Sequence, residues 1–377
     1  MNTDTQRAIR LHAANRTLTL ASNTPAVTDY SRRYFGSWWK AFEVPASNVR
    51  TGPLLVADVN EDEYAGLRAL VEMCPHDKTS YARAETLVAR DTTGTITAVS
   101  PTPQLAYQHH TTTGHLSIRG ARDEQVAMAS ARIARDALRG LLLADGWTLL
   151  HASAAVCDGQ TVLTFGSKGA GKTTTALALA TRGWQLLAND RIFVRPNPHG
   201  TLDVLPWPSA AAIGLGLLDA LGWFDMARTR VQAGENLHPT QHPDVTQALL
   251  DGRRTPLWEP DGRREMKVQV FPDQFTSWFG LDLATEGSAA TVLFPEIDPT
   301  AAPAATDRRR SLGDEDFMHG ATEDRYPDIL GLAPTSSGND HARQAVAAHL
   351  AELPHHSVRL GHDQSANADF LAKHLGR

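Results

Sequence analysis

The stretch TVLTFGSKGAGKTTTALALATRGWQLLAND, residues 161–190, decides how the rest of the chain is read. Within it Gly166, Ser167, Lys168, Gly169, Ala170, Gly171, Lys172 and Thr173 spell the pattern G-x-x-x-x-G-K-T. A β-rich run precedes the pattern and a helix-forming run follows it, which is the context that a phosphate-binding loop requires. Ordinary residue frequencies give such a match by chance on the order of 1% of the time in a chain of this size, before the strand–loop–helix context is counted. The glycines let the backbone turn so that successive N–H groups face phosphate oxygens, and the helix N-terminus adds its positive end. Lys172 supplies a point charge for the β and γ phosphates, and the Thr173 hydroxyl is placed to ligate Mg²⁺. Residues Gly166 to Thr174 are therefore the expected ATP site.

Downstream, TTTALALATRG reads as a helix closed by Gly183, and WQLLAND as the next strand, ending at Asn189 and Asp190. In open α/β folds ligands bind beyond the carboxyl ends of strands. Asp190 is then placed to hold Mg²⁺ or to accept a hydroxyl proton; its structural alternative is a cap before the run RIFVRP. Upstream, TLLHASAAVCDGQTVLTF reads as two strands about the turn dipeptide Asp158-Gly159. Farther upstream, residues 1–121 read as a mainly β segment with one helical pattern, EDEYAGLRALVEMC. From Arg122, the apolar spacing Val126, Ala129, Ile133, Ala137 and Leu141 predicts a long helix ending near Gly146. The expected division is thus 1–121, a part suited to binding an acceptor, and 122–377, a P-loop kinase domain with loop insertions near 225–265 and 299–327. A helix, a strand and a final helix are expected over 341–376.

The composition excludes several classes. Net charge is −6, so the basic footprint needed to neutralise nucleic-acid phosphates is missing globally, and no nucleic-acid partner is expected. Cys74 and Cys157 stand far apart and outside any CxxC spacing, which suggests neither a disulfide framework nor a structural zinc site and favours a cytoplasmic location. The longest apolar stretch, about Ala210 to Leu218, falls well short of a membrane span, so no membrane partner is expected. The histidine pairs at 109–110 and 355–356, and His238 with His242, lack the spacing of a transition-metal site. The aromatic run Tyr34 to Trp39 and the triplet Arg308-Arg309-Arg310 read as packing and as a solvated charge run.

With these residues in view, HASAAVCDGQTVLTFGSKGAGKTTTALALATRGWQLLANDRIFV resembles the P-loop kinase domain of HPr kinase/phosphorylase and its relatives, over about residues 148–196. The resemblance implies an α/β fold of the HPr kinase / phosphoenolpyruvate carboxykinase-like type. His151 matches the histidine that precedes the family's loop, and Asp190 the second acidic position of its Ala-Asp-Asp run. The implied chemistry is phosphorylation of a hydroxyl with ATP and Mg²⁺. Two departures stand out: Asn189 occupies the first acidic position, and no Glu-Ile-Arg-Gly signature follows LDVLPWPSAAAIGLGLL. Action on HPr itself is therefore not expected. Relatives that decorate peptides and small metabolites carry a later basic segment, matched here by GRREMKVQVFP, with Arg263, Arg264 and Lys267.

The expected function is transfer of the γ-phosphoryl group of ATP to a hydroxyl of a small metabolite or of a Ser/Thr in a peptide. Catalytic roles are expected of Asp190, His151, Lys172 and Lys267, and metal ligation of Thr173 and Asp190. His151 is a second candidate base because histidine titrates near neutrality. The alternatives are a nucleotide-dependent switch module and an acceptor-independent ATPase. The oligomeric state, a homo-oligomer included, and any reverse dephosphorylation stay open at this point.

Overall fold

In the computed structural model, residues 7–45, 49, 52–318, 327–333 and 339–376 are described. The chain is a mixed α/β protein of two compact units, residues 1–147 with 318–342, and residues 148–317 with 343–377.

The first unit begins with a hairpin, β1 (Arg7–Ala13) and β2 (Arg16–Ser22), then α1 (Pro25–Phe35) and the short β3 (Phe42–Glu43). There follow β4 (Leu54–Val59) and α2 (Glu61–Met73), whose N-cap Asn60 accepts from the Glu63 N–H at 3.0 Å. A meander of β5 (Asp77–Tyr81), β6 (Ala84–Arg90), β7 (Thr95–Ser100), β8 (Leu105–His110) and β9 (His115–Gly120) leads into α3 (Asp123–Ala144). The nine strands form one sheet in the order β3-β1-β2-β4-β9-β8-β7-β6-β5. Helix α3 packs on α1, β2, β4 and β9, burying Val126, Ala129, Ile133 and Leu138. Helix α2 covers Leu87, Val99 and Ala106 through Tyr64 and Val71.

The expected boundary at 121/122 therefore lies at 147/148 instead. The change from alternation to helical spacing at Arg122 marks a change of element, and α3 belongs with the sheet it covers. Helix α1 escapes the sequence pattern because polar Thr28 and Ser31 share its buried face with Val27, Tyr34 and Phe35. Trp38 and Trp39 are each 1% exposed, and Trp39 stacks on Phe35 at 5.4 Å, so the aromatic run is core of this unit.

The second unit starts with β10 (Thr148–Leu150), β11 (Ser153–Cys157) and β12 (Gln160–Thr164), then α4 (Lys172–Ala180), β13 (Gln185–Ala188), β14 (Ile192–Pro196) and β15 (Leu202–Pro206). Next come β16 (Ala211–Ile213), α5 (Leu215–Ala220), α6 (Phe224–Gln232), α7 (Pro243–Leu250), β17 (Leu257–Trp258), β18 (Glu265–Met266), β19 (Val268–Val270) and α8 (Pro272–Phe279). The unit closes with β20 (Gly287–Ile297), β21 (Ala304–Thr306), α9 (Asn339–Glu352), β22 (His355–Leu360) and α10 (Gln364–His374).

Its main sheet runs β10-β14-β15-β20-β12-β11-β13, with β22 beside β20 and β21 beside β22. Strand β20 pairs in parallel with β12 and β22, which buries it centrally and explains its apolar run Val292, Leu293, Phe294. Leu371 of α10 and Leu179 of α4 pack together on one sheet face, and Val346 and Leu350 of α9 on the other, giving a helix–sheet–helix sandwich. The Asp158-Gly159 dipeptide makes the two-residue hairpin between β11 and β12, both residues at positive φ.

The stretch expected as a loop near 225–265 holds α6, α7 and the β17–β18 hairpin. Its prolines mislead: Pro243 sits in the first turn of α7, where no N–H is needed. The expected loop 299–327 lies partly outside the described residues, at 319–326; what precedes that gap is ordered by β21 and a 3-10 turn at Asp314–Asp316.

Candidate active site

Sheet register brings the candidate residues together. Leu150 pairs with Ile192 and Ala154 with Ala188, so the residue after β10, His151, meets the residues between β13 and β14, Asn189 to Arg191. His151 Nε2 lies 3.2 Å from Asp190 Oδ1, and Arg191 Nε lies 3.3 Å from Asp190 Oδ2. Burial pushes the Asp190 carboxyl up, but the His151 hydrogen bond and the charges of Arg191, His151 and Lys172 outweigh it, and the net position is below the ordinary carboxylate value. Asp190 is accordingly held as an anion beside the loop.

The phosphate loop connects β12 to α4. Phe165 extends the parallel pairing, its N–H donating to the Leu293 carbonyl at 2.9 Å. Ser167, Lys168 and Gly169 are exposed at the tip. Gly171 has φ +103°, and a Cβ there would lie 2.7 Å from Ile297 Cδ1 and 3.0 Å from its Cγ1. A Gly171→Ala variant is expected to lower stability by about 1–3 kcal/mol through backbone strain and this contact, read as a shift in the denaturant midpoint.

Lys172 is 8% exposed, and its Nζ donates to the carbonyls of Gly166 at 2.6 Å and Ser167 at 3.3 Å. Burial holds its pKa below the ordinary lysine value, opposed by the negative charges of Asp190 and Asp316 and assisted by Arg310. From β11, the buried Ser153 hydroxyl donates to the Lys172 carbonyl at 2.6 Å and so fixes the start of α4. Thr173 Oγ1 donates to the Asn189 carbonyl at 3.0 Å. That bond uses the hydroxyl hydrogen and leaves oxygen lone pairs for a cation. Asn189 itself is 5% exposed and its Oδ1 accepts from the Ser209 hydroxyl at 3.3 Å, which ties this side chain to the segment after β15.

Two participants come from a segment of weak periodicity, where the sequence shows only a basic triplet followed by an acidic run. Phe317 forms a β-bridge with Leu150, and the His151 N–H donates to the Asp316 carbonyl at 2.9 Å. Asp316 is 2% exposed and takes Arg310 Nη2 on both oxygens, at 2.7 and 3.0 Å. Arg310, expected as part of a solvated run, is held here, while Arg308 pairs with Glu296 at 2.8 Å. An open cleft of about 490 Å³ is bounded by the loop residues 166–170, Phe294, Arg308, Arg310 and Ser357.

Lys267 pairs with Glu265 at 3.5 Å and is not among the residues bounding that cleft; Arg263 and Arg264 are exposed. Among the described residues no group of three or more His, Cys, Asp or Glu is placed to hold a metal ion by itself, and no helix is long and apolar enough to cross a membrane. Mg²⁺ at such a site keeps waters and phosphate oxygens as ligands and needs only one or two protein oxygens, and the Thr173 hydroxyl and the Asp190 carboxylate are oxygen donors of the kind it takes.

No protein-family model matches the chain. The HPr kinase/phosphorylase of three strains of Streptococcus thermophilus is 34% identical over 112 residues, covering 28% of this chain and 35% of each relative. The matched part thus spans about a third of the length of those curated relatives. The solved structure of the Hpr(Ser) kinase/phosphatase from Coxiella burnetii aligns at 16% identity over 40% of this chain and 60% of that one, with a TM-score of 0.19. In part of its length, then, this chain is distantly similar to HPr kinase/phosphorylase.

Proposed function

We propose that the second unit is an ATP- and Mg²⁺-dependent kinase that transfers the γ-phosphoryl group to a hydroxyl of a small metabolite, such as a sugar, nucleoside or amino acid, or of a Ser/Thr in a peptide. The observation that carries this reading is a complete phosphate loop together with the Asp190–His151 pair, which the β10–β14 and β11–β13 pairings bring into contact. In the transfer, the acceptor O–H gives up its proton as the new O–P bond forms, and the bond between the β and γ phosphates breaks to release ADP. Asp190, kept ionised by His151 and Arg191, accepts that proton or holds the metal, and His151 orients the carboxylate. Thr173 and Asp190 would hold Mg²⁺, which supplies charge neutralisation at the phosphates. Lys172 offers its ammonium to the phosphates once it leaves the loop carbonyls that it now bonds.

The acceptor-binding part is proposed in the first unit. An open cleft of about 1000 Å³ there is lined by Asp58, Asn60, Thr95, His110 and Arg119, groups able to hydrogen-bond a hydroxyl-bearing ligand. The nucleotide-switch alternative draws on Asn189, whose amide cannot serve as a second carboxylate.

The test is MgATP-dependent ADP formation by the purified protein, with and without pooled hydroxyl metabolites and Ser/Thr peptides, followed by mass detection of products. Acceptor-dependent ADP with a new species heavier by one phosphoryl group, absent in Lys172→Ala, is the expected result. Tight MgATP binding without acceptor-dependent turnover would favour the switch.

A further inference from the structure

We propose that Arg310 is a phosphate-contacting residue, with one arm of its guanidinium fixed by Asp316 and the other presented to an oxygen of the nucleotide's terminal phosphate. The proposal rests on the kinase reading and deepens it, because it assigns the site a cation from outside the phosphate loop.

Among the described residues, the hydrogen bonds of the Arg310 side chain lie on Nη2: two to Asp316, at 2.7 and 3.0 Å, and a longer one to Glu315 at 3.4 Å. The guanidinium carbon sits 4.8 Å from the centre of the Phe294 ring. Nη1 is buried and has no hydrogen-bond partner among the described residues. Stacking on Phe294 satisfies the flat face of the cation but not its N–H groups, which radiate in the guanidinium plane. Buried donors in folded proteins are nearly always paired with protein, water or a bound group, so an acceptor brought to this side of the guanidinium gains a bond.

Asp316 does not bond Nη1. Both its oxygens already take Nη2, and Oδ2 also accepts the Gly313 N–H at 3.0 Å. Arg310 shares the walls of the 490 Å³ cleft with the loop residues 166–170, and Arg308, the neighbouring cation on that wall, is paired with Glu296. Arg310 is also close enough to Lys172 to push its pKa down, so the two cations are near neighbours. An anion with several oxygens answers both. Arg310 comes to the cleft from the segment that follows β21 and not from the loop, so it adds a contact that the loop and Lys172 do not supply. A planar fork of N–H donors with one arm already clamped is well suited to an oxygen that gains charge as the phosphoryl group moves.

The test is binding of Mg²⁺ with a non-hydrolysable ATP analogue, against binding of MgADP, by wild type, Arg310→Lys, Arg310→Met and the exposed neighbour Arg309→Ala, with thermal melting of each. Arg310→Lys keeps a charge beside Asp316 and guards against loss of fold. Arg309→Ala is expected to bind each nucleotide as wild type does. Both Arg310 variants are expected to lose about tenfold or more in analogue affinity with MgADP affinity little changed, the size of one charge-assisted hydrogen bond. Equal losses for both nucleotides, or no loss, in a variant that melts like wild type would overturn the assignment to the terminal phosphate. Failure of wild type to bind either nucleotide would instead overturn the kinase reading, and this assignment with it.

Discussion

Asp190→Asn is expected to lower the rate of acceptor phosphorylation by about 10²–10⁴-fold, the span typical of losing a positioned acid–base group. MgATP binding should persist, because the loop backbone and Lys172 are untouched. Lys172→Ala behaves differently: it removes the charge that faces the phosphates, so binding and transfer fall together. Equilibrium binding beside single-turnover rates separates the two. A wild-type transfer rate in Asp190→Asn would remove Asp190 from the reaction and pass the base role to His151.

The pH dependence follows from the direction of the Asp190 shift. His151, Arg191 and Lys172 together hold this carboxyl below its ordinary value, against the opposing effect of burial. A depressed folded-state pKa contributes stability that is fully present above the unfolded carboxylate value and is lost as pH falls through the folded one. The stability gap between wild type and Asp190→Asn should thus be level from neutrality down to the usual carboxylate range and shrink only below it. Over mildly acidic pH, Asp190 stays charged, and an acid limb in the rate profile there belongs to another group.

The loop, the strand before it and the helix after it are legible in the sequence because all their determinants are local: three glycines, one lysine and a threonine at fixed offsets. Asp190 is legible by the same logic, as the last residue of the next strand run. His151 is reached only through resemblance, since what places it against Asp190 is the pairing of Leu150 with Ile192, a register that no single segment encodes. Arg310 and Asp316 are harder still. They sit in a segment with weak periodicity, and it is the Leu150–Phe317 bridge that brings them beside residues far earlier in the chain. Their signal is faint but real: a basic triplet at 308–310 followed closely by the acidic run Asp314-Glu315-Asp316, opposite charges spaced to pair across a turn. The division between units is obscured for a similar reason, because α3 follows the meander in sequence yet buries its apolar face on β2 and β4, which come well before it.

Asp316→Ala is expected to destabilise the second unit by about 3–5 kcal/mol, the range for removing one partner of a buried ion pair. Asp316 is 2% exposed and its Arg310 partner is 26% exposed as a side chain, so solvent offers the guanidinium little compensation. The substitution also leaves the Gly313 N–H without its acceptor. The effect reaches the site through the backbone, since the carbonyl of the same residue receives the His151 N–H, and His151 in turn holds Asp190. Asp316→Asn keeps the shape and one acceptor oxygen and should be milder. Combining Asp316→Ala with Arg310→Met should recover part of the loss, because the stranded charge goes with its partner. Denaturant unfolding of the four proteins checks this. If Asp316→Ala unfolds within about 0.5 kcal/mol of wild type, an ordinary surface value, the pair bears no part of the stability of this wall. If the double variant is instead less stable than Asp316→Ala, Arg310 is held chiefly by Phe294, and its fixed position owes more to stacking than to the carboxylate.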